Sequence, residues 1–116
     1  MSNATTLPFQ NLIAYQVARE LLVFVREANI SDARLRDQAL RAAASACLNI
    51  AEAAGRVTAA DKARVYGIAR GEASEATAAL DVAIAAGWCT PAAAAAGASA
   101  GTRLFALLTA LSRKVA

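Results

Sequence analysis

The sequence predicts an all-α protein, one domain over 1–116, folded as an antiparallel up-down-up-down four-helix bundle. Three observations predict it. Only two prolines and six glycines interrupt 116 residues rich in Ala, Leu, Arg and Glu, which are strong helix formers. Apolar residues recur every three or four positions through four long stretches, the period of a helix with a buried face. The breaks between stretches are only a few residues long, so successive helices of about 30 Å each must fold back on one another.

The first helix is expected over about 9–28, with Ile13, Val17, Leu21, Phe24 and Ala28 on one face. Ser31, followed by Asp32, offers a hydroxyl that satisfies an orphan amide at an N-cap, with the acid set against the helix dipole. The second helix then runs over about 32–54, and Gly55 ends it in the left-handed conformation a C-terminal cap uses. Thr58 is expected to cap the third helix, 59–86, with Asp61 in a capping-box-like position. Val65, Ile68, Ala69, Ala76, Leu80 and Ala83 form its apolar face; Gly87 closes it, and Trp88 supplies a large anchor just beyond. Thr90 and Pro91 read as an N-cap followed by proline at the first helical position, where a missing amide hydrogen costs nothing. The fourth helix is expected over 91–114, with Leu104, Leu107, Leu108, Leu111 and Val115 as its core stripe and Arg113-Lys114 at the negative end of its dipole. Gly97 and Gly101, spaced GxxxG, allow another helix to approach closely.

Composition removes several function classes. There is no histidine, and Cys47 and Cys89 are the only cysteines, so a Cys/His zinc site is excluded on ligand count. Histidine-containing di-metal bundle chemistry and a Cys-His nucleophile go with it. No glycine-rich phosphate loop is present, and neither an enzyme nor a cofactor is expected. The start, "MSNATTLPFQ", lacks the basic and apolar regions of a secretory signal, so the reading is a cytoplasmic protein in which the sequon at Asn3 means nothing. Hydrophobic content is 58%, but charge breaks the apolar runs before the ~18 residues of a spanning helix. The formal charge is +3, and the basic residues are nearly all arginine, which suits carboxylate or phosphate partners.

On a helical wheel of the second helix, Arg41, Ser45, Asn49, Glu52 and Arg56 fall within about 80°. Most of the remaining circumference is apolar, and a helix apolar nearly all round is normally buried. Either this helix is central to the bundle or another subunit covers part of it. The polar stripe is either a solvated ridge with weak ion pairs or a buried hydrogen-bonded network. Burial requires partners: Arg70, Ser74 and Glu75 lie mid-way along the third helix, where Arg70 can face Glu52. Glu72 falls inside the apolar stripe of the third helix, between Ile68 and Ala76, and needs Arg41 or Arg70 beside it if it is buried.

"LRAAASACLNIAEAAGR" (40–56) and "YGIARGEASEATAALDVAIAAGW" (66–88), with "FQNLIAYQVARELL" at the start, make the chain resemble the four-helix bundle proteins encoded within intervening sequences of bacterial 23S ribosomal RNA genes. The resemblance covers about residues 9–112. It implies a homopentamer of bundles around a central opening, without known enzymatic activity. It also implies kinship with the accessory variability protein of diversity-generating retroelements, a basic pentamer that partners a reverse transcriptase and nucleic acid. The family's signature Asn, Glu and Arg fall at Asn49, Glu52, Arg56, Arg70 and Glu75. Cys47 and Leu48 stand where the family has Pro and Ser, Ala53 where it has Gly, Glu72 where it has a small Ser, and Tyr15 and Arg19 where it has Trp and His.

Two functions follow as expectations. One is a nucleic-acid-binding or ribonucleoprotein scaffold in which oligomerisation multiplies the positive charge, with Arg41, Arg56, Lys62, Arg64 and Arg70 as candidate phosphate contacts. The other is a structural or protein-interaction module in which Asn49, Glu52, Glu72 and Glu75 form a polar network fixing register and assembly. No metal site and no membrane partner are expected in either.

Overall fold

The computed structural model describes residues 6–113, which hold four helices and no strand: α1 (Ile13–Glu27), α2 (Ala33–Gly55), α3 (Ala59–Ala86) and α4 (Pro91–Ser112). Asn3, Lys114 and Val115 lie outside the described residues. The helices pack in a ring: α2 on α3, α3 on α4, α4 on α1 and α1 on α2, with α1 just touching α3.

Several helix ends depart from their expected places. Residues 8–11 form a turn, held by Gln10 N–H to the Leu7 carbonyl and Leu12 N–H to that of Phe9, each at 3.1 Å. The Phe9 ring folds edge-on against Tyr15, 4.7 Å between centroids, so α1 starts at Ile13 and Ile13 itself is 55% exposed. Asp32, not Ser31, caps α2, accepting from Leu35 N–H at 3.0 Å. Ser31 lies one residue before the cap position: its N–H donates to the Trp88 carbonyl at 2.7 Å, and Thr90 N–H donates to that of Ala28 at 2.7 Å. These two bonds tie the α1–α2 loop to the α3–α4 loop. Trp88 thus anchors through its backbone, while the residue as a whole stays 40% exposed. Asn29, at φ 51°, takes the left-handed conformation that turns the chain out of α1.

Gly55 does not take that role in α2. It is the last helical residue, it does not take a positive φ, and Arg56 follows in extended conformation. Thr58 caps α3 as expected, accepting from Asp61 N–H at 3.1 Å, but the Asp61 carboxylate turns to Arg56 and Arg64 instead of completing a capping box. Gly87 closes α3 at φ 73°. Thr90 caps α4 without a side-chain bond, with Pro91 in the first turn.

The core is built on small residues. Its largest fully buried side chains include Leu21, Ile30, Ile50, Leu80, Leu104 and Leu108, and most of the rest is alanine. Alanine faces bury little area each but let helix axes come close, which restores dispersion contact between backbones. Gly97 and Gly101 mark the tightest places: a methyl group at 97 would stand 2.6 Å from Leu80 Cδ1, and one at 101 would overlap the Thr77 hydroxyl. Ile68, expected on the inner face of α3, is 46% exposed. Leu107 and Leu111 are only half-buried. By length and composition alone α4 is apolar enough to cross a membrane, with mean hydropathy 1.3 over an 18-residue window, despite the interruption at Arg103.

The outer face of the second and third helices

No polar or charged residue is buried among the described residues, so the α2 stripe lies at the surface of the single chain. Its members are held by short-range partners. Asn49 Nδ2 donates to the Ser45 carbonyl at 2.9 Å and to Ser45 Oγ at 3.0 Å, within its own helix. Glu52 pairs with Arg56 one turn on, and Arg56 also reaches Asp61 at 3.3 Å across the α2–α3 link. Arg64 closes this group with two bonds to Asp61 Oδ1, at 3.2 and 2.8 Å. The bonds from Arg64, and the Arg56 charge, hold the Asp61 carboxyl below its ordinary range. Lys62 Nζ donates to the Ala54 carbonyl at 3.3 Å, capping the end of α2.

A second group sits nearer the start of α2. Arg41 pairs with Glu75 at 2.7 Å and Glu72 at 3.5 Å. Glu72 is therefore half-buried and paired, which explains how a carboxylate is tolerated beside the apolar face of α3. Arg70 does not face Glu52. Its Nε donates to Thr109 Oγ1 at 2.7 Å and its guanidinium stands 4.0 Å from the centroid of the Phe105 ring, on α4.

The candidate phosphate contacts are consequently not brought together. Arg56, Lys62 and Arg64 share one end of the α2–α3 pair, Arg41 pairs separately with Glu72 and Glu75, and Arg70 is turned to α4. Each already has a partner in its own chain, and a phosphate must displace or share it. Among the described residues no group of three or more Cys, Asp or Glu side chains is placed to hold a metal ion.

One feature of this face escaped the sequence reading. Leu48, 71% exposed, falls about 20° from Arg41 on the α2 wheel, at the edge of the polar stripe, and Ile68 falls between Arg64 and Glu72 on the wheel of α3. The apolar remainder of α2 is otherwise covered by its own chain: Ala39, Ala42, Ala43, Ala46, Ile50 and Ala53 are fully buried. The expected excess of apolar surface on this helix thus reduces to Leu48. Its wheel position carries the signal, which is lost when only polar residues are plotted.

A family model described as 23S rRNA-intervening sequence protein matches residues 10–110 of the chain. No curated protein matches it.

Proposed function

Because the chain belongs to the 23S rRNA-intervening sequence protein family, we propose that it acts as a non-enzymatic, cofactor-free cytoplasmic scaffold: an antiparallel up-down-up-down bundle that assembles with copies of itself, as a pentamer in the form the family resemblance implies. The observation that carries this reading is the pattern on the outer α2–α3 face. The pairs Arg41–Glu75 and Arg56–Asp61 support an arrangement in which α2 and α3 run in opposite directions, with Leu48 and Ile68 at one height between the two pairs. An exposed apolar centre within a rim of internally neutralised charge is the anatomy of a protein interface. Paired arginines also lose less on being covered than free ones.

The test is light scattering on the chain and on Leu48→Glu. The unaltered chain is expected to run above the mass of one copy, and Leu48→Glu to shift towards the single chain with its melting temperature kept. A well-folded single chain at high concentration defeats the reading.

A second reading, in which the assembly carries RNA or DNA, draws support from cations outside the paired groups: Arg19, Arg26, Arg34 and Arg103 form no ion pair among the described residues. Five copies would repeat these charges around an axis. The binding expected is weak, salt-sensitive and largely independent of sequence, and titration with RNA and DNA at two salt concentrations checks it. No binding at low salt leaves an accessory role towards another protein, such as a reverse transcriptase.

A further inference from the structure

A different face carries a second feature. Between α3 and α4 runs an open trough of about 440 Å³, lined among others by Ser74, Thr77, Asp81, Ala98, Gly101 and Phe105. On α3, Arg70, Ser74, Thr77 and Asp81 share one side of the helix, and on α4 Ala98, Thr102, Phe105 and Thr109 do the same.

The trough is less polar than its composition suggests. Thr77, Thr102 and Thr109 donate their hydroxyl protons to the carbonyls of Ala73, Ala98 and Phe105, at 2.7, 3.0 and 2.8 Å. Those donors are spent within their own helices, and the floor is completed by Gly101, Ala98 and the Phe105 ring. Its two ends are charged and opposite. Arg70 is fixed at one end by Phe105 and by the bond from its Nε to Thr109, and its two terminal amino groups take no partner among the described residues. At the other end Asp81 is exposed and forms no ion pair among the described residues. Eleven residues of helix separate them, about 16 Å along the axis.

We propose that this trough docks one amphipathic helix of a partner protein. That helix has a small apolar face and carries an acidic and a basic side chain eleven residues apart, the acid meeting Arg70 and the base meeting Asp81. The apolar floor supplies contact area and the charged ends supply orientation. Small residues on both walls let a third helix approach to the 8–10 Å typical of packed helices. This site is independent of the α2–α3 face and of the oligomer proposed there.

The test uses two helical Ala/Leu-based peptides of about 20 residues. One places Glu and Lys eleven residues apart, which puts both on one side; the other places them nine apart, on opposite sides. Titrated into 15N-labelled protein, the first is expected to shift the amide signals of Thr77, Gly101 and Thr102 and to bind about fivefold more tightly than the second. Asp81→Lys, a change at an exposed position, is expected to weaken the Glu/Lys peptide and to favour a Glu/Glu peptide of the same spacing. Equal binding of the two spacings, shifts confined to other helices, no binding, or no change of preference in Asp81→Lys overturns the proposal.

Discussion

Arg70 joins α3 to α4 by two contacts from one side chain: its guanidinium stands 4.0 Å from the Phe105 ring centroid, and its Nε donates to Thr109 at 2.7 Å. Thr109 in turn donates to the Phe105 carbonyl, so the three residues form a connected set on which the approach of the two helices depends. Lysine in place of Arg70 keeps the charge but loses the planar stack and the Nε bond. Arg70→Lys is expected to lower stability in urea unfolding by about 1 kcal/mol. A double-mutant cycle with Phe105→Leu is expected to return a coupling energy of about 0.5–1 kcal/mol; additive effects mean that the stack contributes nothing.

Asp61 gives the α2–α3 link its acid sensitivity. Two bonds from Arg64 and the nearby Arg56 stabilise its charged form, so its folded pKa lies below the unfolded value. The stability this supplies is complete above the ordinary aspartate range of about 4 and is lost as pH falls through the folded pKa. The difference in unfolding free energy between the unaltered chain and Asp61→Asn is therefore expected to be flat from neutral pH down to about 4 and to shrink below it. A difference that stays constant to the lowest accessible pH shows that the charge of Asp61 contributes nothing to folding.

The four helices were legible because their signals are local: alanine and leucine propensity, the Thr58 cap, the left-handed Gly87. What was not legible depends on who meets whom across helices. Ser31 has the chemistry of a cap, but its amide is held by the Trp88 carbonyl of the facing loop and α2 begins one residue later than a Ser31 cap requires, so Asp32 caps instead. Counting along the helices sets Arg70 against Glu52, but its direction around α3 decides the matter and it faces α4. Ile68 is expected on the apolar face of α3, whereas its wheel position between Arg64 and Glu72 places it outside. In a core made of alanine, the few large side chains on each face decide its orientation, and one of them turned outward changes which face needs a partner.

The two cysteines are expected to separate by reactivity. Burial pushes the Cys47 thiol above its ordinary pKa, against a smaller opposing effect of Arg19, and the thiolate is the reacting species. Cys89 is only half-buried, near the start of α4. With iodoacetamide at pH 8, mass spectrometry is expected to find the peptide containing Cys89 labelled first, and Cys47 labelled at a comparable rate only in urea. Equal rates in the folded protein contradict the burial of Cys47.

The four glycines in helix interiors, at 67, 71, 97 and 101, divide into two pairs, and alanine substitution separates their roles. Alanine is favoured over glycine by about 1 kcal/mol in a helix, and at Gly67 and Gly71 an added methyl meets nothing within 4 Å. Gly67→Ala and Gly71→Ala are therefore expected to raise stability by about 0.5–1 kcal/mol each. At Gly101 the same methyl overlaps the Thr77 hydroxyl and lies 3.0 Å from Thr77 Cβ and Cγ2; Cβ is fixed to the α3 backbone, so α4 must move or Thr77 must give up its bond to Ala73. Gly101→Ala is expected to lower stability by about 1–3 kcal/mol, the usual cost of overpacking. Gly97→Ala should cost less, because its main obstacle is the flexible end of Leu80. Thr77→Ala in the Gly101→Ala background is expected to recover most of the loss, which thermal unfolding of the four variants and the double variant measures directly. A Gly101→Ala protein as stable as Gly67→Ala contradicts the close approach of α3 and α4.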